Sequence, residues 1–324
     1  MGLINLFGKS FGRILYLILT AYLSFKLSVE DFAKFAIFWT SLRMFTFYGS
    51  NNLYIIYFNK VRTYLLDRKE WPRHVSSNII INTVFFLIII AAASFLLFDD
   101  VMFILILLGC LLCFIIIRYI AEFAKADNNL FLSIFIDDVL FYVLFFILCL
   151  IGLSFQNDLN ALIISLFVAS FITALSGILM FIKKFNIRIN SFTVKASDFS
   201  VSEFKLGINY TFLRGNETLS NFAVRYLGQI YFGDVFVAYA HIMYQFYNIF
   251  SLLTMSVISG FQSKITVKDN TKFNRVFINQ SYIKILKTTL PFIIVFILAL
   301  AIFNNQILTW FFPKYVAYSH LLYK

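Results

Sequence analysis

The chain has 324 residues, of which 61% are hydrophobic, 20% aromatic and only 13% charged, with a mean hydropathy of +0.84. Soluble domains are about half apolar and about a quarter charged, so a soluble domain is excluded and an all-α, polytopic membrane bundle is expected. The net charge of +11 invites a nucleic-acid partner, which the placement of the charges along the chain excludes.

A membrane-spanning helix needs about 20 mostly apolar residues. Nine runs qualify, at roughly 11–27, 35–58, 77–98, 101–121, 130–153, 159–182, 204–226, 235–262 and 282–303. The first follows Lys9 and Arg13 as a signal peptide would, yet no small-residue cleavage site follows it and eight more spans do, so an uncleaved signal-anchor is expected. Between the first two spans, "KLSVEDFAKFAIFWT" (26–40) holds Glu30 and Asp31. Ser28 followed three residues later by Asp31, ahead of an apolar run, reads as a helix cap. "FDD" and "SFQND" join later pairs of spans and are too short to fold into domains. Cys110, Cys113 and Cys149 fall inside apolar runs, and "CLLC" lacks the second pair or nearby His of a metal site. They read as small hydrophobes; no metal and no cofactor is expected.

The longest connection, "KKFNIRINSFTVKASDFSVSE" (183–203), is rich in Lys, Ser and Asn, as a linker between bundles would be. Residues 1–182 then form a six-helix N-terminal lobe and 204–324 a partial C-terminal lobe of three helices. After the ninth span, Trp310, Phe311, Phe312 and Tyr315 suit a segment at a membrane interface. Three helices leave one flank bare, which points to a fragment or truncated gene product.

With a cytoplasmic N-terminus, the inner segments hold 20 of the 27 basic residues, while Glu30, Asp31, Asp99, Asp100, Asp158 and Asp234 fall outside. The positive-inside rule is obeyed at every inner loop, so the excess charge reports topology.

"YTFLRGNETLSNFAVRY" (210–226) is the polar exception among the spans. At 100° per residue, Arg214, Glu217, Asn221 and Arg225 share a face roughly 100° wide. A polar stripe through a membrane turns toward the bundle interior or a water-filled cavity. Arginine there suits an anionic group, because its planar fork binds phosphate oxygens in pairs and keeps its charge. The structural alternative is an Arg214–Glu217 ion pair within the helix, with Arg225 reaching for headgroups. In the next span His241, Gln245, Asn248 and Ser259 align, so two neighbouring polar seams suggest a hydrophilic cleft. Arg43, Arg118 with Glu122, and the Asp137–Asp138 pair are further candidates. Arg43, Arg214, Arg225 and Asn221 form the expected substrate-binding set, and Glu217, Asp137, Asp138 and His241 the candidates for ion coupling. Asp137 and Asp138 also read as neighbours of a basic residue such as Lys125, and His241 as a hydrogen-bonded seam residue.

Three segments carry a resemblance. "LSVEDFAKFAIFWTSLRMF" (27–45) resembles the segment joining the first two helices of Wzx-type polysaccharide flippases, through Leu27, Ser28, Glu30, Asp31, Phe32, Ala33 and Phe35. "NFAVRYLGQIYFGDVFVAYAHIMYQF" (221–246) is similar to the family's seventh-to-eighth-helix segment, through Arg225, Phe232, Gly233, Tyr239 and Ala240; Val224 stands where the family has Asp. "WFFPKYVAYSHLL" (310–322) is similar to the segment before the tenth helix. Each motif is degenerate; their order and placement span the chain.

The family belongs to the multidrug/oligosaccharidyl-lipid/polysaccharide exporter superfamily, so the resemblance implies a MATE-like, two-lobe architecture whose second lobe is incomplete here. It implies a flippase that moves undecaprenyl-pyrophosphate-linked oligosaccharide from the inner to the outer leaflet of a bacterial inner membrane. Its partners would be the lipid-linked oligosaccharide, membrane lipids and other polysaccharide-assembly proteins. A cation-coupled small-molecule exporter would favour carboxylates over arginines in the cavity. A glycosyltransferase or polymerase needs a large outer loop that this chain lacks. An inactive flippase remnant is the remaining alternative.

Overall fold

The computed structural model describes residues 2–66, 72–127, 129–156, 158–185, 194–248 and 309–316, with isolated positions between 251 and 306. Among them there is no strand. The helices are α1 (Gly2–Lys26), α2 (Val29–Gly49), α3 (Leu53–Leu66), α4 (Arg73–Leu97), α5 (Val101–Ala126), α6 (Leu130–Ile134), α7 (Phe141–Phe155), α8 (Leu159–Phe185) and α9 (Val201–Phe232), and residues 234–248 are also helical. A π-turn, Phe135–Leu140, joins α6 to α7 without a break, so Leu130–Phe155 runs as one rod. Four rods, Arg73–Leu97, Val101–Ala126, Leu130–Phe155 and Leu159–Phe185, are long and apolar enough to cross a membrane. The molecule is an all-α membrane protein.

Two compact units divide the chain: Leu27–Ala238, and Met1–Lys26 with Tyr239–Lys324. In the first, α5 packs on α8, α3, α2 and α4, α7 packs on α8, and α9 lies along α2 and α3. The linker 183–203 falls within this unit. Its segment 194–200, which includes a 3-10 turn at Ala196–Asp198, is hooked to the start of α4. Asn78 Nδ2 donates to the Asp198 carbonyl (2.7 Å), the Ser200 amide donates to Asn78 Oδ1 (2.8 Å), and the Lys195 amide donates to Ser77 Oγ (3.2 Å).

Sequence chemistry explains most boundaries. Ser28 caps α2, accepting from the Asp31 amide and donating to the Asp31 carboxylate at 2.8 Å. Asp100 caps α5 through the Met102 and Phe103 amides, and Ser200 caps α9 through the Glu203 amide. The stretch 35–58, expected as one span, is instead two helices broken at 50–52. Asn51 and Asn52 both take left-handed backbone conformations, at φ 45° and 48°. Asparagine tolerates this region better than most residues, and here tertiary contacts hold it in place.

In the second unit α1 runs antiparallel to residues 239–248. Tyr16 meets His241, and three residues earlier Arg13 Nη1 donates to the Asn248 carbonyl at 2.7 Å. Phe312 and Tyr315 are buried there, while Trp310 and Phe311 stay exposed. Ser259, most of 249–262 and most of the run 282–303 lie outside the described residues.

Candidate functional site

α2 is the most enclosed helix of its unit. From Phe32 to Phe45 every position is buried except Lys34, near the capped end, and Arg43. The Arg43 guanidinium is thus open to solvent on a helix whose flanking positions are dry. Arg43 lies over the Trp39 ring, 5.5 Å from its centroid. That geometry is a cation–π contact. Trp39 is in turn fixed by Phe141 (6.1 Å, stacked), Phe145 (6.3 Å, stacked) and Phe114 (6.0 Å, edge-on).

α5 carries the second such cation. Arg118 keeps 39% of its side-chain surface exposed, although Ile117 and Tyr119 on either side are buried. Its Nη2 donates to the Tyr54 hydroxyl at 3.2 Å, its plane lies 5.1 Å from the Tyr54 ring centre, and its Nε stands 3.7 Å from Glu122. Glu122 also takes Lys125 at 2.8 Å. Asp137, half-buried in the π-turn, is close enough to Arg118 to interact electrostatically. Asp138 is half-buried beside it. Asp137 therefore neighbours a basic cluster, and the π-turn is the kind of local irregularity that recurs at functional sites.

The polar stripe of α9 is divided. Gly207, Thr211, Gly215, Phe222, Arg225 and Gly228 are buried, whereas Arg214 and Glu217 are exposed and Asn221 is half-buried. Small residues at 207, 211 and 215 let the helix approach α2 closely. A Cβ on Gly207 would sit 2.6 Å from the Asn51 carbonyl oxygen, and one on Gly215 would sit 2.6 Å from the Tyr48 hydroxyl. These two contacts run α2 and α9 antiparallel, setting Arg43 level with about residue 220 of α9. Arg225 is 3% exposed and donates to the Asn221 carbonyl at 3.0 Å. Among the described residues, neither Arg214 nor Glu217 forms a salt bridge.

Between α2 and α3 lies a polar node absent from the expected site. Asn51 Nδ2 donates to Asn82 Oδ1 (3.0 Å) and to the Phe204 carbonyl (3.3 Å). Asn52 Nδ2 donates to Thr211 Oγ1 (2.9 Å) and its Oδ1 accepts from the Tyr54 hydroxyl (2.6 Å). The Tyr119 hydroxyl donates to the Ser50 carbonyl at 2.7 Å. Tyr54 thus touches both the helix break and Arg118. Beyond it, Tyr57 and Lys60 of α3 both bond to Glu203 at the start of α9. Burial pushes the Glu203 carboxyl up, but the bonds from Lys60 and Tyr57 outweigh it and hold the group below its usual value. The signal for the break was present in "YGSNNLY", a cluster of turn-forming residues inside an apolar run.

In the other unit His241 is fully buried, with Tyr16 Oη and Gln245 Nε2 each 3.4 Å from its Nε2. Asn248 Nδ2 lies 3.5 Å from Gln245 Oε1. The seam expected along this helix is real up to residue 248. Its partners Arg13 and Tyr16 on α1 were not foreseen, because Arg13 read only as a topology charge.

No family model, curated protein or solved structure matches this chain.

Proposed function

We propose that the chain is a transporter, a flippase of lipid-linked oligosaccharide units. One observation carries the reading: Arg43 is open to solvent in the middle of a helix that is otherwise buried from Phe32 to Phe45 except at Lys34. In a membrane protein such a cation faces a hydrated or ligand-filled cavity, since hydrocarbon would penalise it by several kcal/mol. Arginine suits a pyrophosphate, and the Asn221, Arg214 and Glu217 surface of α9 offers groups for sugar hydroxyls. The resemblance of residues 27–45, 221–246 and 310–322 to Wzx-type flippases supports the same substrate. In this reading the N-terminus is cytoplasmic, the membrane is a bacterial inner membrane, and a MATE-like pair of lobes alternates access by rocking.

The test is leaflet location of lipid-linked repeat units, read by an externally added sugar-modifying enzyme in a strain lacking its own flippase. Expression of the chain should restore outer-leaflet units. Arg43→Ala should abolish them, Arg43→Lys should restore them in part, and Arg214→Ala should reduce them. Restoration that is indifferent to Arg43→Ala, or drug efflux with no restoration, would overturn the proposal in favour of a small-molecule exporter.

A further inference from the structure

The hook 194–200 rests on one face of α4, and the same face continues along the apolar rod uncovered. Arg73, Ser77, Val84, Phe85 and Ile88 fall within about 120° of one another around that helix. Ser77 is buried and bonded to the hook: its Oγ accepts from the Lys195 amide at 3.2 Å and donates to Asp198 Oδ2 at 3.4 Å. Val84, Phe85 and Ile88 are exposed. Ile88 stands about 16 Å farther along the axis than Ser77. That length is close to one leaflet, half of a hydrocarbon core of about 30 Å. The start of α9 walls one side of the stripe. Phe204 meets Phe85 edge-on at 5.5 Å and Phe86 at 6.1 Å, and Phe199 of the hook meets Phe204 at 5.8 Å.

Positive charge gathers at the end where the stripe stops. Arg73 lies one turn before Ser77, Lys195 is tied to Ser77 through its own amide, and Lys205 follows Phe204. All three side chains are exposed, and none forms a salt bridge among the described residues. Glu203 is engaged by Lys60 and Tyr57, which leaves Asp198, held by Ser77, against the three cations.

We propose that the stripe and the cations at its end seat one anionic phospholipid of the membrane. Its acyl chain lies along Val84, Phe85 and Ile88, and its phosphate sits among Arg73, Lys195 and Lys205. An apolar face alone would take the chain of any lipid. The cations select the headgroup, since each basic residue at a membrane surface is worth roughly fivefold in affinity for anionic lipid. Topology asks only for basic residues on one side of the membrane; it does not ask for them at the foot of an uncovered stripe of leaflet length. The seat depends on the chain crossing a membrane and on nothing in the transport reading. Its occupant also braces the hook, because Lys195 is bound to α4 through its backbone and to the lipid through its side chain.

The test is lipid retention by the full chain in neutral maltoside micelles, read by native mass spectrometry. The chain is titrated with dioleoyl phosphatidylglycerol and, separately, with dioleoyl phosphatidylcholine. The first phosphatidylglycerol should bind with roughly tenfold preference over phosphatidylcholine. Arg73→Gln with Lys195→Gln should reduce that preference to about twofold or less, whereas Arg73→Lys with Lys195→Arg, which keeps both charges, should retain it. Lys183→Gln with Lys184→Gln removes the same charge from the exposed end of α8 and should leave the preference intact. Val84→Ala with Ile88→Ala should weaken both lipids alike. Equal retention of the two lipids by the parent overturns the seat, as does a preference that survives in the Arg73→Gln pair or is lost in the charge-keeping pair. A loss in the α8 pair as large as in the Arg73→Gln pair would reduce these cations to diffuse topology charge and overturn it too. Unchanged retention in the Val84→Ala pair would overturn the stripe as the place of the chain.

Discussion

The two ends of α2 are stopped by different physics. At Ser28 the stop is local: a hydroxyl three residues from Asp31 accepts its amide, and nothing distant is needed. At Ser50–Asn52 the stop is tertiary: two asparagines hold left-handed conformations because Asn82, Phe204, Thr211, Tyr54 and Tyr119 bond to this turn. A local stop can be read from four residues of sequence. A tertiary stop depends on groups as far as 160 positions away, so the same apolar run reads as a single span until its partners are placed.

Breaking the tertiary end should have the largest effect. Gly207→Ala puts a methyl against the backbone oxygen of Asn51, which cannot swing aside as a side chain would. A loss of about 2 kcal/mol is expected from such overpacking, visible as a lower thermal midpoint in detergent. An unchanged midpoint would mean that α9 does not seat on the break. Breaking the local end should matter less: Ser28→Ala removes one cap and should cost about 1 kcal/mol, in the same assay.

The smallest effect belongs to the tie between α3 and α9. Glu203 has a folded value held down by Lys60 and Tyr57. A depressed carboxyl stabilises the fold above its unfolded value of about 4.3, and that contribution disappears as pH falls through the lower folded value. Lys60 is 46% exposed, so solvent screens the pair and the contribution should stay under about 1 kcal/mol. The stability gap between the parent and Glu203→Gln should therefore be small at pH 7 and close below about pH 4. A gap that instead widens in acid would reverse the assigned sign.

Helical class and the rods from Arg73 to Phe185 were legible because hydropathy over about 20 residues outweighs local detail. The cap at Ser28 was legible for the reason given above. What the arginines face was not. On α9, Arg214 and Arg225 lie at nearly the same angle, yet one is exposed and the other buried. The angle fixes a face, while burial is fixed by which neighbour covers that height of the face. Arg43 shows the converse: α2 carries no polar stripe, and its mid-helix cation is set apart by the packing around it. The ring cluster around Trp39, on which Arg43 lies, needed three helices that are distant in sequence.

The hook between α4 and segment 194–200 has a consequence for biosynthesis. Asn78 finds its Asp198 and Ser200 partners 120 and 122 residues later, and Asn51 waits longer still for Phe204. At 5–20 residues per second, synthesis leaves these amides without their final bonds for roughly 6–30 seconds. During that interval the start of α4 must remain at a hydrated boundary, so early insertion of the helix is a poised state that the arrival of α9 completes.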